Sequence, residues 1–324
     1  MSTAPLRSGR ATGDGQGSRT LVVGCGFIGS HVIEALIAAG RPPVVLTRSR
    51  PAVAAQIAAA DLHLGDAKDP ALLGRALEGV GEVVFSAGGL LPAASEENPE
   101  LDAELTLGPV RAVLDALADR PGVALTYLSS GGTVYGDPER IPVDEEAPTN
   151  AFGAYGRLHL ACEAEVMAAH RERGLPVRIL RCATVYGEHQ HPDRGQGAVV
   201  TFLHRIEHGE EVHIFGQGET VRDYVYAGDV AAAVLGLLGR RDGPPVLNVG
   251  SERSTSLAEL LELTAREVGK EPKVVRHPVR DFEVRAVVLD TTRLRDLLPF
   301  DPTSLEVGIA RTHRWLSSAA PERV

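Results

Sequence analysis

The chain has 324 residues, a formal net charge of −10 and 44% hydrophobic residues. That length supports one large or two small domains with an ample core, and an acidic balance without a basic run argues against nucleic acid or an anionic membrane surface as the main partner. No apolar run approaches the ~20 residues that span a bilayer.

Residues 1–19 are rich in Gly, Ser and Thr, lack the apolar core of a signal peptide, and read as a disordered leader. Short apolar runs at 20–23, 44–46, 62–64, 83–85, 123–128 and 177–180 read as strands. Between them, 28–39, 51–60, 70–77, 99–119 and 154–173 read as helices. Short buried strands that alternate with helices imply parallel pairing, because parallel strands need crossovers. The expected class is therefore α/β, a Rossmann-type doubly wound parallel sheet over residues 20–180. From Arg181 the rhythm breaks and loops lengthen, so 181–316 is expected to form mainly a smaller C-terminal lobe, with 317–324 as a tail. Within it, 229–238 and 246–249 are placed to return to the first sheet. Residues 256–269 fit a helix capped by Ser256, with Glu259 completing a capping box. Cys25, Cys162 and Cys182 are odd in number and lack ligand spacing, as expected of reduced cytoplasmic thiols.

Gly24, Gly26 and Gly29 form G-x-G-x-x-G where the first strand opens into the first helix. Glycine permits a tight turn there and lets backbone N–H groups reach a pyrophosphate at the positive helix end. Gly24, Gly26, Phe27, Ile28 and Gly29 are thus candidate dinucleotide contacts. At the end of the second strand a ribose-binding acid is expected for NAD, but the run is Leu46-Thr47-Arg48-Ser49-Arg50. Arg48 and its hydroxyl neighbours suit a 2′-phosphate, so NAD(P) is the expected cofactor with NADP(H) favoured. Asp66 is placed at the adenine edge and Ala87 along the cofactor.

The fifth strand runs into Ser129-Ser130-Gly131-Gly132-Thr133-Val134-Tyr135-Gly136, and Tyr155 opens a later helix with His159 four residues on. Hydroxyls at a strand's carboxyl end and a Tyr at a helix start can converge on a sugar hydroxyl and relay its proton. Arg181-Cys182-Ala183-Thr184-Val185-Tyr186-Gly187, then Gly216-Gln217-Gly218 and Arg222-Asp223-Tyr224-Val225-Tyr226, then Asn248-Val249-Gly250 and Arg280, complete the pattern. From residue 20 to about 315 the chain resembles the extended short-chain dehydrogenase/reductases, in particular the nucleotide-sugar epimerase/dehydratase family that includes UDP-glucose 4-epimerase.

The resemblance implies that Tyr155 is the acid/base at a sugar hydroxyl. It implies that a neighbouring Ser or Thr binds the same oxygen, and that a Lys four residues after the Tyr holds the nicotinamide ribose. Here the Ser/Thr position falls on Gly131, which leaves Ser130 or Thr133 for the role, and the Lys position falls on His159. Only three lysines exist, Lys68, Lys270 and Lys273, and none adjoins position 159. A neutral imidazole at 159 would hydrogen-bond the ribose, whereas an imidazolium would lower the Tyr155 pKa. Thr184, Arg222 and Arg280 are the implied substrate contacts, the two arginines at the nucleotide diphosphate. A homodimer through 99–119 and 154–173 is likewise implied. His189, His191 and Asp193 read as a solvated loop, and no metal is expected.

Three readings follow. The first is a 4-epimerase acting on a UDP- or dTDP-type sugar. The second is an NADPH-dependent reductase of a nucleotide 4-keto sugar, towards which Arg48 and the missing Lys lean. The third is a cofactor-binding homologue without catalysis.

Overall fold

The computed structural model describes residues 19–49, 57, 61–192, 197–278 and 284–318. The leader expected over 1–19 (Arg19, which opens the first strand, apart), the helix expected over 51–60 (Ile57 apart), Asp193 and Arg280 fall outside the described residues. The chain order is β1 Arg19–Val23, α1 Phe27–Ala38, β2 Val44–Thr47, β3 Leu62–Leu64, α2 Pro70–Ala76, β4 Val80–Phe85, α3 Pro92–Glu97 and α4 Pro99–Leu117. Then come β5 Ala124–Ser130, α5 Gly131–Val134, α6 Ala154–Arg173, β6 Val177–Cys182, β7 Thr184–Tyr186, α7 Ala198–His208, β8 Glu211–Phe215, β9 Val221–Arg222 and β10 Tyr224–Tyr226. The chain closes with α8 Ala227–Leu237, β11 Val246–Val249, β12 Thr255–Ser256, α9 Leu257–Val268, β13 Lys273–His277, β14 Ala286–Val287, α10 Thr292–Leu297 and α11 Leu305–Ser318.

Seven parallel strands form the main sheet in the order β11-β6-β5-β4-β1-β2-β3. The order reverses between β1 and β4, which opens the ligand crevice at their carboxyl ends. The central strands are apolar on both faces, as strands covered by helices on both sides must be. One face packs Val22, Val84 and Leu180 against Val32, Ile33 and Leu36 of α1 and Val230 and Val234 of α8. The other packs Leu21, Val83 and Ile179 against Leu72 and Leu73 of α2, Val113 and Leu114 of α4, and Val166 of α6. The segments expected to return do so: α8 packs on α1, and β11 pairs with β6 through Leu247↔Leu180.

A third core gathers Phe202, Leu203, Val212, Ile214, Leu260 and Ile309, with small sheets β13-β8, β10-β7 and β12-β9-β14 beside it. The Ser256 cap is present, its Oγ accepting from Glu259 N at 3.0 Å. The box is only half formed, because the Glu259 carboxylate pairs with Arg253 at 2.7 Å instead of reaching back to the cap. The fifth strand extends through Ser130, so Ser129 and Ser130 lie within β5, and a helical turn follows directly at Gly131. Among the described residues no helix is long and apolar enough to cross a membrane.

Candidate active site

A cleft of about 300 Å3 opens at the carboxyl ends of β1 to β4. Gly24, Gly26, Arg48, Asp66, Lys68 and Ala87 are among the residues lining it. Gly24 adopts φ +92° and packs on Ala87, where any side chain would collide with the Ala87 backbone. A Cβ at Gly29 would strike the Gly24 carbonyl, so this glycine lets α1 sit tight against the loop. A Cβ at Gly26 would meet nothing within 4 Å, which leaves the N-terminus of α1 open to an approaching ligand. Phe27 and Ile28 stand in the first turn of α1 but do not line the cleft.

Tyr155 sits in the first turn of α6, whose N-terminus is tied down by the Glu96 carboxylate of α3 accepting from Ala154 N. Gly174, in the left-handed region at φ +67°, ends the helix after the basic residues His170, Arg171 and Arg173. Residues 156, 159, 162, 163, 166 and 169 form its buried face. The rings of Tyr155 and His159 lie 4.5 Å apart between centroids. His159 Nδ1 is 2.9 Å from the Tyr127 hydroxyl of β5. Asp102 of α4, 1% exposed, accepts through Oδ1 from Leu90 N at 2.8 Å and from the Thr106 hydroxyl at 3.0 Å. Its Oδ2 is buried without a hydrogen-bond partner, and its charge acts on Tyr155, His159 and Cys162, which succeed one another along one face of α6.

These surroundings set the protonation states. Burial pushes the Tyr155 hydroxyl up to about 12, and the Asp102 charge and the Cys182 thiol push the same way. Burial pulls the His159 imidazole down to about 4 against the opposing Asp102 charge. His159 is therefore neutral at pH 7, which decides between the two states that the sequence left open and withdraws any cationic help from Tyr155.

Strand alternation puts Tyr127 and Ser129 on the α6 side of β5 and Ser130 on the other. Thr133 packs against Gly156, next to Tyr155, and its hydroxyl donates to the Ser130 carbonyl at 3.2 Å. Thr184 lies beside Gly132 and is tied by its backbone N–H to Asp223 O at 2.9 Å, which brings β7 alongside Arg222. Arg222 donates from Nη1 to Val221 O at 2.8 Å.

Residues 20–250 match the family model described as the NAD dependent epimerase/dehydratase family. The chain belongs to that family. A crystal structure of UDP-glucose 4-epimerase from Thermotoga maritima with UDP-glucose superimposes with TM-score 0.86 at 31% identity, over 92% of this chain and 98% of that one. The UDP-glucose 4-epimerase of Thermus thermophilus, in complex with NAD, gives 0.84 at 29% identity, over 93% and 100%. A dTDP-4-dehydro-6-deoxy-D-allose reductase of Streptomyces bikiniensis is 28% identical, over 94% of this chain and 98% of its own length.

The cleft of this epimerase/dehydratase-family enzyme fits a dinucleotide: the glycine cradle and free α1 terminus suit a pyrophosphate, and Arg48, Lys68 and Asp66 gather at one end. Lys68 went unrecognised as a cleft residue in the sequence. The β3–α2 loop carries it to the cleft, where it pairs with Glu104 at 2.9 Å. Tyr127 and Asp102 were also missed. One is a Tyr inside an apolar strand and the other an Asp within a helix, and neither stands in a motif.

Among the described residues no group of three or more His, Cys, Asp or Glu is arranged to hold a metal. His189 instead pairs with Glu34 at 3.1 Å, and Trp315 stacks edgewise on His189 and His191.

Gly131 has a steric reason to be glycine. A Cβ there would stand 2.7 Å from Leu289 Cδ1, in a fully buried side chain, and 2.9 Å from the Arg181 carbonyl oxygen. Gly131→Ser, which would place there the hydroxyl that the resemblance implies, is expected to cost about 1–3 kcal/mol by overpacking and to bring no gain in turnover. Thermal unfolding and steady-state rates of that variant check both halves.

Proposed function

We propose that this enzyme is a nucleotide-sugar 4-epimerase, its substrate seated between the dinucleotide cleft and the smaller lobe at 181–316. The observation that carries the reading is Tyr155. Its hydroxyl has no side-chain hydrogen-bond partner among the described residues, and it opens α6, which packs on α4, the helix whose Leu105 and Pro109 line the glycine cleft. The full-length likeness to two UDP-glucose 4-epimerases supports the same reading. A bound nicotinamide supplies reversible hydride acceptance at the sugar C4. Tyr155 takes the O4 proton and returns it. Thr133, with Ser130 as the other candidate, donates a hydrogen bond to that oxygen. His159 offers its ring to the nicotinamide ribose, and Thr184, Arg222 and Arg280 hold the nucleotide diphosphate. The test is incubation of cofactor-loaded enzyme with UDP-glucose, UDP-galactose and their dTDP counterparts. Interconversion of 4-epimers without net cofactor consumption is expected.

A second reading, an NADPH-dependent 4-keto-sugar reductase, is favoured by one specific observation. Burial holds Tyr155 protonated and no cation among the described residues offsets it, a state ready to donate a proton to a ketone oxygen. Stoichiometric NADPH consumption with a nucleotide 4-keto sugar would select it.

At the adenosine end we propose a preference for NADP(H). The support is the absence of an acid after β2, and Arg48 and Lys68 lining the same cleft. Arg48→Ala is expected to weaken NADP+ about tenfold or more and NAD+ much less, as measured by titrating both cofactors. Equal losses for the two cofactors would exclude a 2′-phosphate contact.

A further inference from the structure

Position 127 is a core position. Tyr127 is 1% exposed, and its ring lies 5.9 Å from Phe85 between centroids. A phenol so deep needs a partner for its hydroxyl, because an unmet buried hydroxyl costs a full desolvation. Two groups stand against it, the Nδ1 of His159 at 2.9 Å and the Cys162 thiol. A thiol is a poor acceptor and an sp2 imidazole nitrogen a good one, so the phenol proton goes to Nδ1. A neutral imidazole that accepts at Nδ1 carries its own proton on Nε2.

We propose that Tyr127 is a positioning residue for His159: its buried hydroxyl donates to Nδ1, locks the Nε2–H tautomer, and so presents a permanent neutral donor to the cofactor ribose. The inference rests on the proposed function only for what Nε2–H touches; the tautomer itself does not depend on it. The arrangement gives position 159 a hydrogen-bond donor without a charge. The groups facing the imidazole are Tyr127 of β5, Asp102 of α4 and Tyr155 on its own helix. Protonating the ring would place a hydrogen on Nδ1 against the phenol hydrogen and bury a charge. The depressed His159 pKa agrees with that cost.

The experiment is long-range 1H–15N spectroscopy of the full chain with labelled histidines, of which there are 11, and His159→Gln identifies the resonance. His159 is expected in the Nε2–H form at pH 7 and still neutral at pH 5. Tyr127→Phe keeps the ring packing and should convert the signal to a mixture of tautomers, with NAD+ and NADP+ binding weakened about threefold to tenfold. An Nδ1–H or doubly protonated His159 in the wild type overturns the proposal by itself, even if the variant fails to fold. An unchanged spectrum in a folded Tyr127→Phe variant also overturns it. If the Nε2–H signal is present and lost as expected while no nucleotide sugar turns over, the tautomer lock stands and the functional reading fails.

Discussion

Tyr155→Phe is expected to lower turnover of a nucleotide sugar by about 10²- to 10⁴-fold, the usual worth of one positioned acid/base, with the fold intact. Among the described residues the hydroxyl has no hydrogen-bond partner that its loss would strand, so a fall in rate without a fall in thermal stability isolates the chemical role. The pH profile sharpens the test. With Tyr155 pushed up to about 12, the phenol is the dominant form at every pH where the protein is assayed. A step that needs tyrosinate as base then gains tenfold for each pH unit, with no plateau below about pH 10, since the active form lies about five powers of ten down at pH 7. That deficit corresponds to about 7 kcal/mol. A step that needs phenol as acid is flat over the same range. Epimerisation contains both, so its rate is expected to rise with pH, whereas reduction of a 4-keto sugar is not. A Tyr155→Phe variant with undiminished turnover would remove both readings together. A plateau near pH 7 in the epimerase direction would mean that the ternary complex supplies the positive charge that His159 does not.

How much of this was visible in the chain depends on how far apart the interacting residues lie. The G-x-G-x-x-G turn is local: Gly24 and Gly29 are five positions apart, and their need for glycine is met by contacts with each other and with Ala87. The strand periodicity and the return of 246–249 to the sheet were legible for the same reason, because burial on both faces writes an unbroken apolar run. Position 159 was legible as a departure but not as a solution. Its partner is 32 residues away, on a strand where Tyr is as natural a core residue as Val or Ile. Lys68 shows the converse: well separated from Arg48 in sequence, it joins Arg48 at the cleft because both follow adjacent strands of one parallel sheet. Asp102 left no mark at all, since an Asp in a helical stretch ordinarily faces water.

The second large effect concerns the helix that carries Tyr155. Glu163 of α6 and Arg181 of β6 are both buried and joined at 2.7 Å, and Arg181 Nε lies 3.1 Å from each carboxylate oxygen. Ser129 donates to the same carboxylate at 2.6 Å, Arg181 donates to the Tyr135 hydroxyl at 3.0 Å, and Tyr135 donates to Asn248 Oδ1 at 2.7 Å. The chain of bonds therefore links α6, β5, β6 and β11. Burial works against the Arg181 charge, but the Glu163 carboxylate more than compensates and holds its pKa above the usual value. Glu163→Ala is expected to cost about 3–5 kcal/mol, because it strands a guanidinium in the interior. At this chain length that is a fall in Tm on the order of 10 °C. Replacing both groups by Met removes both desolvation penalties, so the double variant should unfold at a higher temperature than Glu163→Ala. If instead the double variant is worse than either single one, the pair contributes net stability rather than merely mutual cancellation. Glu163 lies two helical turns beyond Tyr155 on α6, so Glu163→Ala should also lose turnover at temperatures well below its unfolding. The double variant, with α6 still packed on the sheet and still joined to it through His159 and Tyr127, shows how much of Tyr155's placement survives without the Glu163–Arg181 pair.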